Sequence, residues 1–393
     1  MPFFSFVLND YPQKIIEIPK NNKHNELIKI FKKIKLNKRY YSKNIHLWKC
    51  LNKKKNSHFV SEINFEKRNK SKRIGNKILF FIPPNIGLGD SIEYGLAIKE
   101  LVKEKSFLDY GIAFAGRFYF IYKKYFQFKN IYKEYIDINN FDFYDTHFHF
   151  TLEINELKKN KYERADIEKS ILHFFNLQLK RKNKIKKNKI NNVVIFPISN
   201  SPIRTMPIQI LKKLIDYFLI DYNVKVIFYK QSEISNYIEK HIDSSKVDKI
   251  YPKDIKDLVT EVKKIDFGIF MDSGPLHLAK IFNKRGVLIE TSVNSSLLLN
   301  QFNSIAVYKN NYISNYCKKS CGLTNIFNYD NNFGCFDSLK VNKTDILNLD
   351  NLKSLQRGNI KKSYINFVDN PVNCLKNLNI KDLINFIKLQ IEK

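Results

Sequence analysis

The stretch MDSGPLHLAKIF, residues 271–282, places an Asp, a Ser, a Gly, a Pro and a His within residues 272–277. A hydrophobic run, DFGIF (266–270), leads into it, and apolar residues at helical spacing follow. The pattern predicts a strand that ends in a turn and restarts as a helix. Pro275 suits the first helical turn, where its missing N–H costs nothing. The N–H groups of Ser273, Gly274 and Leu276 then lie at the helix start, a ready site for an anion. His277 reads either as a further donor toward that anion or as a packing histidine. Asp272 reads either as part of the site or as a turn residue.

Working upstream, the same kind of junction recurs. VVIFPI (193–198) is a strand, and PIQILKKLIDYFL (207–219) is a helix opened by Pro207. Arg204 lies in the loop between them. Its planar guanidinium suits bidentate phosphate binding, and the alternative is an ordinary surface arginine. Around these junctions strands and helices alternate: VKVIFYK, SEISNYIEKHI, KDIKDLVTEVKKI, DFGIFM, GPLHLAKIF and GVLIETS, the last clear strand.

Residues 77–178 show a second alternation. KILFFIPP is a buried-type strand, and SIEYGLAIKELVKE is a helix with Tyr94, Ile98 and Leu101 on one face. YGIAFAG, NIYKEYI and FDFYDTHFHFTLE read as strands; RFYFIYKKYF and KYERADIEKSILHFFNL read as helices. Alternation of this kind predicts parallel βαβ units. The expected architecture is α/β: two Rossmann-like, doubly wound domains facing each other across a cleft. Ligands of such sheets bind beyond the strand carboxyl ends.

The first of these domains has its own polar junction, PPNIGLGDSIEYG (83–95). Gly87 and Gly89 are expected to allow a tight turn and close backbone approach to a ligand. No GK[ST] follows, so this is not a Walker A loop, and Ile92 stands where a dinucleotide fingerprint has its third Gly. Asp90, at the expected helix start, reads either as an N-cap or as a carboxylate general base.

Taken together, the three junctions resemble glycosyltransferase family 9, the ADP-heptose:lipopolysaccharide heptosyltransferase group with a GT-B fold. The family carries a GD pair after the first strand, matched here by Gly89 and Asp90. It carries a cation before a W/L-P step, matched by RTMP from Arg204 to Pro207. It carries D-[TS]-G-x-x-H-L-A, matched by Asp272 to Ala279. The resemblance covers roughly residues 77–345. It implies inverting, metal-independent transfer of a heptose or similar sugar from a nucleotide diphosphate to a lipopolysaccharide or other surface glycan. Asp90 would be the base, and Arg204, Ser273 and Gly274 would hold the diphosphate with His277 nearby. Glu233 would sit near the donor ribose. The implied co-substrate is a nucleotide sugar such as ADP-heptose, with no further cofactor. Met206 in place of Trp or Leu, Ser273 in place of Thr, and VLIETSVNSS in place of a Phe-Gly pair leave the sugar open.

Composition frames this reading. The chain has 393 residues, 44% hydrophobic, with a net charge of +30. The organisation expected is a basic N-terminal extension over 1–76, an acceptor domain over 77–178 and a basic linker over 179–192. A donor domain over 193–345 and a helical tail over 346–393 complete it. In the extension, HNELIKIFKKIKL carries Leu27, Ile30, Phe31 and Ile34 at helical spacing, suited to docking on the body or to an anionic membrane surface. The charge fits lysine-rich compositional drift and attraction to anionic surfaces. No nucleic-acid motif supports it, so no nucleic-acid partner is expected. No apolar run approaches the ~20 residues of a membrane span, and the N-terminus lacks the basic start of a secretory signal. The expected location is cytoplasmic, peripheral at the inner face of the membrane, with a glycolipid or glycan acceptor. Cys317, Cys321 and Cys335 form a cluster without paired CxxC spacing; incidental thiols and a metal site completed from elsewhere are both open.

Overall fold

The computed structural model describes residues 3–8, 22–52, 58–62, 75–83, 86–105, 107, 109–149, 167–178, 189–243, 245–299, 304–309, 368–369 and 371–393. The chain divides into two compact units: Met1–Lys158 with Ile167–Gln178, and Lys159–Asp166 with Leu179–Lys393.

The first unit opens with β1 (Phe4–Leu8), α1 (Asn22–Phe31), β2 (Arg39–Ser42), α2 (Ile45–Asn52) and β3 (His58–Glu62). The basic N-terminal extension expected over 1–76 instead supplies a sheet to this unit, because β1 pairs antiparallel with both β2 and β3. Alternation in FSFVL explains it. Phe4, Phe6 and Leu8 are fully buried on one face, against Leu27, Ile30 and Phe31 of α1 and Leu47 and Leu51 of α2. Each such side chain contributes about 1.5–3 kcal/mol on burial. The expected amphipathic segment thus spends its apolar face inside this unit.

The chain continues through β4 (Lys77–Phe81), α3 (Leu88–Glu104), β5 (Asp109–Ala113), α4 (Tyr119–Lys124), β6 (Asn130–Tyr132), β7 (Tyr135–Asp137), α5 (Ile138–Asp142), β8 (Thr146–His149) and α6 (Ile167–Phe174). A parallel sheet runs β6-β5-β4-β8, while β7 extends the antiparallel sheet to β3-β1-β2-β7. The segment NIYKEYI, expected as one strand, is therefore divided between two sheets. FDFYDTHFHFTLE is also divided. Asp137 caps α5 by accepting from the N–H groups of Asn139 and Asn140 at 3.1 and 3.3 Å, and among the described residues of the segment Thr146–His149 is the strand. Phe3 and Tyr41 of the antiparallel sheet pack with Leu79, Phe81, Phe114 and Phe141. Phe3 and Tyr41 thereby pack near the carboxyl end of the parallel sheet.

The second unit contains β9 (Asn192–Phe196), α7 (Ile208–Phe218), β10 (Asn223–Ile227), α8 (Glu233–Lys240), β11 (Asp248–Ile250), α9 (Ile255–Lys264), β12 (Phe267–Phe270), α10 (Gly274–Ile281), β13 (Arg285–Ile289), β14 (Ile305–Tyr308), α11 (Asn373–Lys376) and α12 (Ile380–Glu392). All six strands are parallel, in the order β11-β10-β9-β12-β13-β14. This is the doubly wound order, with its reversal between β9 and β12. β11 and β14 are additions to the sequence reading; both are edge strands with partly exposed faces. The C-terminal helix belongs to this unit's core through Leu383, Ile387 and Ile391. Arg285 Nη2 donates to the carbonyls of Gln390 and Ile391 at 2.8 and 3.3 Å, satisfying acceptors at the helix end.

Residues 179–188 of the expected linker, and Cys317, Cys321 and Cys335, lie outside the described residues. Among the described residues no helix is long and apolar enough to cross a membrane. No group of three His, Cys, Asp or Glu among them is placed to hold a metal.

Candidate functional site

Strand order decides where a site forms in the second unit. β9 and β12 are neighbours, and the chain leaves their carboxyl ends in opposite directions, which opens a crevice there. Phe196 and Phe270, the last residues of the two strands, stack with ring centroids 5.0 Å apart. The loop after β9 folds back on itself. Met206 N–H donates to the Pro197 carbonyl at 2.8 Å, and the Thr205 hydroxyl lies 3.0 Å from the Ser201 carbonyl. A single 3-10 turn, Pro202–Arg204, carries the arginine. Pro207 stands at the N-cap of α7, as expected for a residue without a donor.

Arg204 and Asp272 meet at this crevice. Arg204 Nη1 donates to Asp272 Oδ2 at 3.0 Å and to the Asp272 carbonyl at 3.1 Å. The two side chains are 15% and 5% exposed, so the pair is largely shielded from water. Ser199 Oγ donates to the same carbonyl at 3.0 Å. Arg204 is thus not an ordinary surface arginine, and Asp272 is the residue that fixes it. Without a counter-charge, burying the guanidinium would be costly.

Ser273 is the N-cap of α10, and Gly274 and Pro275 are its first two residues. The Ser273 hydroxyl does not cap the helix; it donates to the Met271 carbonyl at 3.3 Å. Of the three N–H groups expected to face an anion, that of Leu276 is used internally, donating to the Ser273 carbonyl at 3.1 Å. The N–H groups of Ser273 and Gly274 stand at the helix start. His277 is buried, 2% exposed, in the first turn. Glu233 is the first residue of α8, exposed, beyond the carboxyl end of β10.

In the first unit, Asp90 stands differently from the expectation. α3 begins at Leu88, so Gly87 is the N-cap, Gly89 lies inside the helix, and Asp90 is its third residue. Gly87 has φ −73, open to any residue, so the expected glycine turn is an ordinary helix start. Asp90 Oδ2 accepts from Gly87 N–H at 3.4 Å. This is the side-chain half of a capping box, and it is long. The carboxylate is half-buried and stands at the positive end of a helix.

No family model matches the chain, and no curated protein matches its sequence. Solved structures do match. A glycosyl transferase family 9 structure from Veillonella parvula DSM 2008 aligns with a TM-score of 0.50 at 11% identity, covering 80% of this chain and 97% of that one. The fold is similar to that of a family 9 glycosyltransferase. E. coli heptosyltransferase WaaC with ADP-2-deoxy-2-fluoro heptose gives a TM-score of 0.42 at 8% identity, over 59% of this chain and 93% of its own. TibC, a bacterial iron-containing dodecameric glycosyltransferase from enterotoxigenic E. coli H10407, gives 0.45 at 13% identity over 91% and 84%.

Two cations near the first unit's strand ends were invisible to motif reading. Arg117, just after β5, donates from Nη2 to the Ile86 carbonyl at 2.8 Å and so steadies the loop that leads to Gly87 and Asp90. Lys43, just after β2, reaches His149 at the end of β8. Neither lies in a spaced motif; both positions depend on which strands become neighbours.

Proposed function

We propose that this protein is an inverting glycosyltransferase of the GT-B type, moving a sugar from a nucleotide diphosphate donor to a surface-glycan acceptor. The observation that carries the reading is the β9/β12 switch point. One crevice holds the cation of Arg204, fixed by Asp272, and the start of α10 at Ser273 and Gly274. A departing nucleotide diphosphate gains negative charge as the glycosidic bond breaks. Fixed donors aimed at that charge lower the barrier, each worth ~2.7–4 kcal/mol. The helix start supplies such donors from backbone alone. His277, in the first turn of α10, is assigned beside the diphosphate, and Glu233 to the ribose side.

Asp90 is assigned as the base that removes the acceptor hydroxyl proton as the hydroxyl oxygen attacks the anomeric carbon. Its position suits that role: the carboxylate is half-buried in the first turn of α3, at the positive end of the helix. The likeness in fold to a family 9 structure and the order of the three sequence junctions support the same assignment. The donor base, the sugar and the acceptor follow from the family resemblance; a heptose or similar sugar and a lipopolysaccharide-type acceptor are proposed.

The test begins with a thermal-shift screen of nucleotide sugars, followed by transfer or donor-hydrolysis assays on the best binder. Asp90→Ala is expected to lower turnover by ~10²–10⁴-fold while donor binding survives. Asp90→Asn, which keeps an acceptor for Gly87 N–H, is expected to lose turnover equally. Near-normal turnover in both variants removes Asp90 as the base. The capping contact of Asp90 favours a second reading, a nucleotide-binding protein without transfer. Donor binding with no product in the wild type would select it.

A further inference from the structure

The first unit repeats the topological device of the second. Its parallel sheet runs β6-β5-β4-β8, so the strand order reverses between β4 and β8. Phe81 ends β4, His149 ends β8, and the two are register partners. Their rings stack with centroids 4.2 Å apart at 13°. Phe114, the residue after β5, has φ +64. That left-handed conformation is rare for a bulky residue and clusters at functional sites.

Into this crevice the antiparallel sheet delivers an amine. β2 ends at Ser42, and the next residue, Lys43, sets its Nζ 3.4 Å from His149 Nδ1. The same Nζ lies 5.4 Å from the Phe81 ring centroid and 5.8 Å from that of Phe114. Lys43 is half-buried, so it is sheltered yet reachable. Burial lowers its ammonium to about 8. Burial, then the neighbouring Lys43 and His147, hold the His149 imidazole neutral, far below its ordinary range. The neutral ring therefore accepts from the ammonium at Nδ1. Glu134, whose carbonyl accepts from Ser42 Oγ at 2.7 Å, turns its carboxylate to Asn44 Nδ2 at 3.0 Å and Lys133 Nζ at 3.8 Å. Among the described residues Lys43 makes no ion pair. A neutral imidazole and two ring faces do not balance a cation drawn from water.

We infer that the crevice at the carboxyl ends of β4 and β8 is a second anion site, in which Lys43 binds a carboxylate or phosphate and His149 positions the amine. The site stands on the first unit alone and holds whether or not the second unit binds a nucleotide sugar. The bound group is either a free anion or an anion carried on a sugar.

Competitive amine acetylation of the full-length chain, read lysine by lysine by peptide mass spectrometry, tests it without any substitution. Inorganic phosphate and glucose 6-phosphate are compared with chloride at equal ionic strength. A bound anion raises an amine's pKa by ~1–3 units, so Lys43 labelling near neutral pH is expected to slow about tenfold relative to the other lysines. Stronger protection by glucose 6-phosphate assigns the anion to a sugar; equal protection assigns free phosphate. If neither anion slows Lys43 more than the other lysines, the site is overturned. The protection is expected to persist in Asp90→Ala, so loss of transfer and loss of this site are separate results.

Discussion

Arg204 and Asp272 show what one contact does at the switch point. Each residue alone has a bland role, a surface arginine and a turn aspartate. Their hydrogen bonds, at 3.0 and 3.1 Å, make them a single shielded unit that holds two loops together across 68 positions of sequence. Removing one partner strands the other charge away from water. Arg204→Met is therefore expected to destabilise the second unit by about 3–5 kcal/mol, read as a lowered urea midpoint. Adding Asp272→Asn should recover part of that loss, because the stranded carboxylate is gone. A single Arg204→Met variant with an unchanged midpoint would show that the pair is loose. Both residues were legible as strand-end positions, since polar residues follow hydrophobic runs at each. Their pairing was not, because nothing in the linear pattern says that β9 and β12 are neighbours.

At the scale of elements, the central strands are shaped by a pair of glycines. Gly268 of β12 and Gly286 of β13 are register partners. A Cβ on Gly286 would meet the Gly268 carbonyl oxygen at 2.2 Å and the Phe270 ring at 2.7 Å. The missing side chains leave room for Phe270, which lies over both glycines and stacks on Phe196 beneath the crevice. Gly286→Ala forces backbone to move, and overpacking of this kind costs about 1–3 kcal/mol. It is expected to lower the thermal midpoint and to weaken nucleotide-sugar binding together, since β12 carries the Asp272 turn. Unchanged binding in a folded variant would uncouple the strand from the site. The helices and central strands were readable from hydrophobic runs because parallel strands buried on both faces are nearly continuous in apolar residues. The splitting of NIYKEYI between two sheets was not readable. Its residues suit a strand throughout, and only pairing partners distinguish β6 from β7.

For the whole molecule, charge is the dominant property: 68 Lys and Arg stand against 38 Asp and Glu. Under the proposed function the acceptor is a glycolipid, and a net positive surface would hold the protein at an anionic bilayer. The chain is expected to sediment with phosphatidylglycerol vesicles at low salt and to be released at about 1 M salt, where screening acts within ~3 Å. Neutral phosphatidylcholine vesicles should leave it in solution. Binding that survives high salt would point to apolar insertion instead.

By itself, the sequence determined that the chain is α/β, that its parallel strands sit in two blocks, and that three polar junctions follow strands. These are local properties, written in periodicity and in the special backbone demands of Gly, Pro and capping residues. Tertiary structure decided which strands lie side by side. It recruited Phe4–Leu8, Arg39–Ser42 and His58–Glu62 into a sheet, paired Arg204 with Asp272, and brought Lys43 to His149 across 106 positions. The reason is that strand pairing is a long-range choice. It is made by burial of whole faces, and the residues that meet at a switch point carry no local mark of their partners.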